Sequence, residues 1–461
     1  MSTVQGTLEG VVLMTRHGDR TKFYQDPNSY TGYETHITPL GEAQTYLTGQ
    51  YIRSRYIAPG APAQISGISE DTIDLDQCTV TADAAAESNV IVISAYSMWQ
   101  GMYPATAQSN VTLANGTTVV SPLSGQQYLP IQTVEFAQSP LLEAFTSCPA
   151  YTAYLAGFYN STAYTSKSNA SKPVLGKLPA VVDGRATALK DMYNVYDYIN
   201  VNNIYNATYA TVLANTTTVA QANDLSNWVS YYAFSGPTNT SAGNIAGRGM
   251  MGGLITSMQT IANASTGNKI QHYSLSYKPF LSIFNMTGAA QSSPELAAVV
   301  SDEMYVNMVF RNNSVAGTEV KPYKLLGRDQ VKLNDFVSAF NSSALYTTLD
   351  WCRACKQNSS INACDSLLAY AGSTTRSGAS ASATATGAAL GSAGSDSHFS
   401  PVGAGFIGAV FGIAAASIGW YLLARNTRKK MASRGKVTIS DPVPLDSYTD
   451  GRASDSKNPF K

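Results

Sequence analysis

Gly10-Val-Val-Leu-Met-Thr-Arg16-His17-Gly18-Asp19-Arg20 is the stretch that decides the fold. Val11 to Met14 form an apolar run without polar alternation, as expected of a strand buried on both faces of a parallel sheet. Such a strand delivers its last residues to the edge where open α/β sheets bind ligands. Here it delivers a histidine between two arginines. Guanidiniums grip phosphate oxygens with a fork of donors, and an imidazole, with an ordinary pKa of about 6.5, can attack phosphorus. His17 is therefore the candidate nucleophile, and Arg16 and Arg20 are candidate phosphate ligands.

Working outward, 461 residues with 44% hydrophobic content suffice for one large α/β domain carrying an inserted cap. Thirty Lys and Arg balance thirty Asp and Glu, and only 13% of residues are charged, a balance that gives no reason to expect a nucleic-acid partner. Asn-x-Ser/Thr sequons begin at Asn110, Asn115, Asn160, Asn169, Asn206, Asn215, Asn239, Asn263, Asn285, Asn312, Asn341 and Asn358, and none follows. As a group they imply a glycosylated, extracytosolic body.

The C-terminal part implies the matching topology. No charge occurs from Val402 to Leu423. At about 1.5 Å per helical residue this run can cross a hydrocarbon core of roughly 30 Å, so 402–424 is expected to be one transmembrane helix. Arg425, Arg428, Lys429, Lys430, Arg434 and Lys436 follow it at once, which places the tail 425–461 in the cytosol. Gly408 and Gly412 form a small-xxx-small step suited to a helix-helix dimer. A type I orientation calls for a cleavable signal peptide, whereas Met1 to Gly10 is polar, so the true N-terminus is expected to lie upstream. Residues 371–401, rich in Ala, Ser, Thr and Gly, read as a flexible stalk. Cysteines at 78, 148, 352, 355 and 364 leave one thiol over after any pairing, and the pairing stays open. Cys352-x-x-Cys355 lacks a second close pair or a nearby histidine, so no metal or cofactor is expected.

Along the body of residues 1–370, Thr38-Pro39 fits an N-cap and first helical residue, and the pattern of Leu40, Ala43, Leu47 and Tyr51 predicts a helix ending around Ile57. Val90 to Ser94 reads as a second buried strand followed by a helix to Met102. Residues 109–240 are dense in Asn, Thr and Tyr with a helical patch around Ala186 to Ile199, which predicts an inserted, mainly helical cap. Arg248 to Ala264 reads as helix, and Ile270 to Leu275 and Tyr305 to Phe310 as returning strands. The fold class expected is α/β, a mostly parallel sheet flanked by helices.

Together these residues resemble the histidine acid phosphatase family, in particular its fungal members, within the phosphoglycerate-mutase-like superfamily. Arg16-His17-Gly18-Asp19-Arg20 is similar to that family's R-H-G-x-R-x-P, with Lys22 at the proline. Ile37-Thr38-Pro39-Leu40-Gly41-Glu42-Ala43-Gln44 and Tyr51-Ile52-Arg53-Ser54-Arg55-Tyr56 look like its L-T-x-x-G-x-x-Q helix and L-R-x-R-Y end. Ser94-Ala95 with Gln100-Gly101-Met102-Tyr103-Pro104 resembles S-A…Q-G-L-Y-P. Phe310-Arg311-Asn312, Asn334-Asp335-Phe336 and Trp351-Cys352-x-x-Cys355 resemble the closing region, so the likeness spans nearly all of residues 8 to 366. It implies a phosphomonoesterase in which His17 is phosphorylated and the phosphohistidine is then hydrolysed, with Arg16 and Arg20 holding the phosphate of a phosphomonoester substrate.

The chain departs from that pattern where the reaction needs it. Tyr273-Ser274-Leu275-Ser276-Tyr277 is similar to the family's Y-S-A-H-D, with Ser276 and Tyr277 standing where the second phosphate-binding histidine and the proton-donating aspartate would be. The family's middle arginine has no counterpart, since there is no arginine between Arg55 and Arg185. Losing a general acid typically costs about 10² to 10⁴ in rate and a positioned charge stabiliser roughly 10² to 10³. Activated esters, which need no acid, would suffer less. The expectation is weak or specialised hydrolysis, with a catalytically inactive protein that binds phosphorylated ligands, or serves as a surface glycoprotein, as the competing reading. Arg185 is weighed as a replacement reaching in from the cap. His272, four residues and about 13 Å before Ser276 along a strand, is too far to replace the histidine.

Overall fold

The computed structural model describes residues 7–23, 27, 35–85, 88–289, 304–312, 314–315 and 318–377. The span expected at 402–424, its Gly408-Gly412 step, the basic tail and most of the expected stalk lie outside these residues. No described helix is long and apolar enough to cross a membrane.

Four parallel strands form the central sheet: β1 (Val11–Arg16), β2 (Cys78–Asp83), β3 (Ile131–Val134) and β4 (Ile270–Leu275), in the spatial order β1-β4-β2-β3. β4 pairs with β1 from Val11↔Ile270 to Arg16↔Leu275, and with β2 from Cys78↔Ile270 to Ala82↔Ser274. β1 lies at one edge of this sheet, yet both of its faces are covered. Val11 and Leu13 pack with Ile52, Met98 and Met102. Val12 and Met14 pack with Met250, Leu254 and Ile283 on the other side. That two-sided covering is why the run is apolar without alternation. Each fully buried Leu, Ile or Met side chain contributes about 1.5–3 kcal/mol.

One face is covered by α1 (Pro39–Ile52) and α2 (Ser88–Met102). α1 begins as its sequence predicts, with Pro39 at the first position and the Thr38 side chain accepting the Gly41 N–H, and it runs on through a π-turn at Arg53–Ile57. The two helices touch through glycines. A methyl group on Gly49 would strike the carbonyl oxygen of Met98, and one on Gly101 that of Tyr46. Val90 to Ser94, predicted as a strand, lies instead within α2. Val90 and Ile91 are fully buried there, and a short apolar run does not distinguish a buried strand from a buried helix, so packing decides. The strand preceding α2 is β2.

Between β3 and α8 (Ile245–Ala262) the chain includes five helices of six or more residues: α3 (Pro149–Tyr159), α4 (Thr162–Leu175), α5 (Met192–Tyr205), α6 (Ala207–Leu213) and α7 (Thr218–Ala233). α4 to α7 share a separate apolar cluster that includes Leu178, Leu189, Met192, Val195, Ile199 and Val229, whereas α3 packs Tyr151 and Leu155 into the cluster around the disulfide cysteines. α8 and α9 (Lys278–Thr287) cover the second face of the sheet. Tyr305 to Phe310, predicted as a strand returning to that sheet, forms two short ones, β5 (Tyr305–Val306) and β6 (Met308–Phe310). These pair antiparallel with β8 (Val331–Lys332) and β7 (Lys321–Tyr323), respectively, outside the main sheet. Antiparallel pairing with nearby segments avoids the long crossover that a parallel partner requires.

α10 (Leu333–Phe340), α11 (Thr348–Cys355) and α12 (Cys364–Ser377) close the body. Disulfides join Cys148 to Cys355 and Cys352 to Cys364, leaving Cys78 as a buried thiol. The two cysteines of Cys352-x-x-Cys355 thus bond to other elements, not to each other. Residues 371–377, predicted as the start of the flexible stalk, continue α12. Leu367 and Leu368 pack that helix against the cysteine cluster, and propagation costs far less than nucleation.

Candidate active site

The C-terminal end of β1 turns into the loop Arg16 to Arg20, and the His17 N–H donates to the Leu275 carbonyl of β4 at 3.2 Å. The loop then passes under the start of α1. A Cβ on Gly18 would collide with the backbone of Gly41, and one on Gly41 with the backbone of Asp19. Glycine at both positions is what permits this approach. The Gly18 N–H donates to Ser94 Oγ at 3.0 Å and the Asp19 N–H to Gln44 Oε1 at 2.9 Å, so residues of α2 and α1 fix the loop's backbone.

His17 is buried, and its Nδ1 lies 2.7 Å from the Gly18 carbonyl oxygen. A carbonyl only accepts, so Nδ1 carries the proton, and in the neutral ring the lone pair is on Nε2. Arg16, His17 and Arg20 line one cleft of about 230 Å³ together with Gly18, Asp19 and Gln44. The opposite wall comes from one face of α5: Asp197, Asn200, Val201 and Ile204. These positions follow the i, i+3, i+4, i+7 spacing of a single helical stripe.

α5 grips the loop at two points. Asp197 Oδ1 accepts from Arg20 Nη1 at 2.9 Å, and its Oδ2 accepts the Phe23 N–H at 2.8 Å. The Tyr205 hydroxyl donates to Asp19 Oδ2, and Thr38 Oγ1 donates to the same oxygen at 2.6 Å. Burial and the neighbouring Asp19 carboxylate push the Tyr205 phenol up to about 12. Asp19 therefore ties loop, α1 and α5 together. Sequence reasoning had singled out none of the α5 residues. Of the stripe only Asp197 falls within the helical patch expected around Ala186 to Ile199, since α5 runs on to Tyr205, and nothing in the sequence alone says which face looks onto His17.

The positions of the missing pair are built differently. Ser276 follows β4 directly and is buried, with an Oγ that has no hydrogen-bond partner among the described residues. The Tyr277 ring lies 5.5 Å from the Arg16 guanidinium carbon, in cation-π contact, and 6.0 Å from the Tyr193 ring. Neither residue lines the cleft. At the end of β2, before α2, stands the buried Asp83, whose Oδ1 accepts the Ala85 N–H at 3.1 Å. Arg185 does not reach the cleft. Its guanidinium is paired with Asp183 at 2.6 Å, donates to Asn194 and lies over the Tyr198 ring. A short acidic neighbour two residues away satisfies it locally.

His272 is a core residue within β4. Trp99 Nε1 donates to its Nδ1 at 3.0 Å, so its Nε2–H faces Thr15 Oγ1 at 2.7 Å. Complete burial lowers its pKa to about 3 and keeps the ring neutral.

A parallel sheet with a histidine and two arginines at the end of its first strand, beneath a helical lid, defines an α/β fold with known counterparts among phytases. The Klebsiella sp. ASR1 phytase superposes with a TM-score of 0.50 at 12% identity, over 76% of this chain and 97% of that one. The Hafnia alvei phytase in complex with myo-inositol hexakis sulphate gives 0.50 at 14% identity, over 76% and 98%. At such identities the likeness is one of fold. No family model matches the chain, and no curated protein does.

Proposed function

We propose that the protein is a phosphoric monoester hydrolase of the histidine acid phosphatase type, restricted in the leaving groups it can expel. The observation that carries this reading is the His17 tautomer. With Nδ1–H held by Gly18, Nε2 keeps its lone pair in a cleft that also holds Arg16 and Arg20. In the first step Nε2 forms a bond to phosphorus as the ester P–O bond breaks, and the leaving oxygen departs with the electron pair. In the second, water attacks phosphorus, the P–N bond breaks, and inorganic phosphate is released. Arg16 and Arg20 balance the phosphoryl charge.

Among the described residues that line the cleft, both carboxylates are already engaged as acceptors. Both oxygens of Asp197 accept hydrogen bonds, and Asp19 Oδ2 accepts two. Esters whose leaving group departs without a proton are therefore the substrates. Hydrolysis of dinitrophenyl phosphate between pH 4 and 7 by the purified full chain, beside His17→Ala, tests the reading. Equal rates for the two proteins sink it.

The stacking of Tyr277 on Arg16, at the position of the missing acid, favours a second reading in which the cleft binds phosphorylated ligands without turnover. A phosphohistidine trapped at His17 would decide against it. We further propose that the body is extracytosolic and anchored through 402–424. Solvent exposure of the sequon residues Asn115, Asn160, Asn169, Asn206, Asn215, Asn263, Asn312, Asn341 and Asn358 supports this placement, as do two disulfides. Glycopeptide mass spectrometry finding Asn160, Asn206 and Asn263 all bare would overturn it.

A further inference from the structure

We propose that Asp197 makes the cleft selective for a single phosphoryl group carried on an uncharged, partly apolar moiety, against ligands bearing several phosphates. The inference rests on the phosphate-ester reading above and concerns which ligands that site admits. Two guanidiniums, Arg16 and Arg20, face two carboxylates, Asp19 and Asp197, so the ionisable side chains lining the cleft other than His17 cancel in charge. Asp197 cannot swing away cheaply. Its two oxygens are bonded to Arg20 Nη1 and to the Phe23 N–H, and leaving would strip both donors of an acceptor.

The rest of the α5 wall is Asn200, Val201 and Ile204, with no cation. Nearby cations are turned to other work. The Lys22 ammonium lies 5.1 Å from the Tyr198 ring centre, and Arg185 is paired with Asp183. One phosphoryl group can be balanced by the two guanidiniums. A second or third on the same ligand would meet a carboxylate and hydrocarbon, and like charges brought together in a cleft repel strongly. Val201 and Ile204, three residues apart on one helical face, offer apolar surface for the organic part of the ligand.

The test is calorimetric binding of phenylphosphonate, methylphosphonate and inositol hexakisphosphate to the full chain at pH 5, for wild type and Asp197→Asn. Wild type is expected to bind phenylphosphonate more tightly than inositol hexakisphosphate. The Asn variant should tighten the hexakisphosphate on the order of ten-fold or more, and phenylphosphonate several times less, because removal of one negative charge matters in proportion to the charge it repels. A purely structural role for Asp197 would change the ligands alike. Wild type that prefers the hexakisphosphate, or a variant that shifts all ligands equally, overturns the proposal.

Should Asp197→Asn fail to fold, the wild-type preference decides together with Val201→Ala/Ile204→Ala. That double variant is expected to weaken phenylphosphonate and leave methylphosphonate unchanged, and equal weakening overturns the proposal. Wild type that binds none of the three loses the selectivity and the site together. Wild type that binds with the expected preference but shows no His17-dependent hydrolysis loses only the hydrolase reading.

Discussion

The imidazole of His17 gives its Nδ1 proton to the carbonyl oxygen of its immediate neighbour, Gly18, across 2.7 Å. The proposed nucleophile is thus oriented by the backbone that follows it, which places the proton on Nδ1. In ¹⁵N-histidine-labelled protein above pH 7, His17 should show a protonated Nδ1 and an unprotonated Nε2. The opposite assignment would remove the lone pair on which the proposed phosphoryl transfer depends.

The glycine pair under that loop gives a stability prediction. Gly41→Ala puts a methyl group into the backbone of Asp19, and Gly18→Ala puts one into the backbone of Gly41. Neither neighbour is a flexible side chain that can yield. Each substitution should cost about 1–3 kcal/mol in urea unfolding, and phosphonate affinity should fall with it because the loop is displaced.

His272 makes a pH prediction with a defined sign. Its folded pKa, lowered to about 3, lies below the ordinary value near 6.5, so between those limits the unfolded chain binds the extra proton. Its contribution to stability is complete above pH 6.5 and is lost as pH falls toward 3, with a limiting slope of about 1.4 kcal/mol per pH unit. His272→Gln, which keeps an acceptor for Trp99, should flatten the acid side of the stability curve between pH 6.5 and 4. Equal slopes for the two proteins would mean that the imidazole does not titrate on unfolding.

Non-reducing peptide mapping should recover Cys148 linked to Cys355 and Cys352 linked to Cys364, with Cys78 as thiol. Burial pushes that thiol up to about 12, so native protein at pH 8 should alkylate at Cys78 far more slowly than unfolded protein. Cys148→Ser with Cys355→Ser should cost about 2–5 kcal/mol.

Where local pattern and tertiary role agree, the sequence could be read directly. β1 ends in its histidine and arginines, Thr38-Pro39 starts α1, and Ile270 to Leu275 is a strand beside β1. Val90 to Ser94 misled because a short β-branched apolar run satisfies helix and strand alike, and in α2 it buries Val90, Ile91 and Ser94 while Ile93 faces outward. The site was legible only in its β1 half. Arg16, His17 and Arg20 are local to one loop, whereas Asp197 and Tyr205 reach that loop from 177 and 186 positions away. Which face of an amphipathic helix looks inward depends on where its neighbours dock, and no periodicity encodes that. Arg185 illustrates the same limit, since an aspartate two residues off captured it before any distant ligand could.

The double hold of α5 on the loop bears on how the protein is made. Arg20 gains its Asp197 ion pair, and Asp19 its Tyr205 hydrogen bond, from a segment synthesised almost two hundred residues later. A nascent chain that has completed β1, α1 and α2 has neither its fourth strand nor its lid. The two walls of the cleft are therefore made at different times, and the proposed site is complete only once α5 has been synthesised and docked.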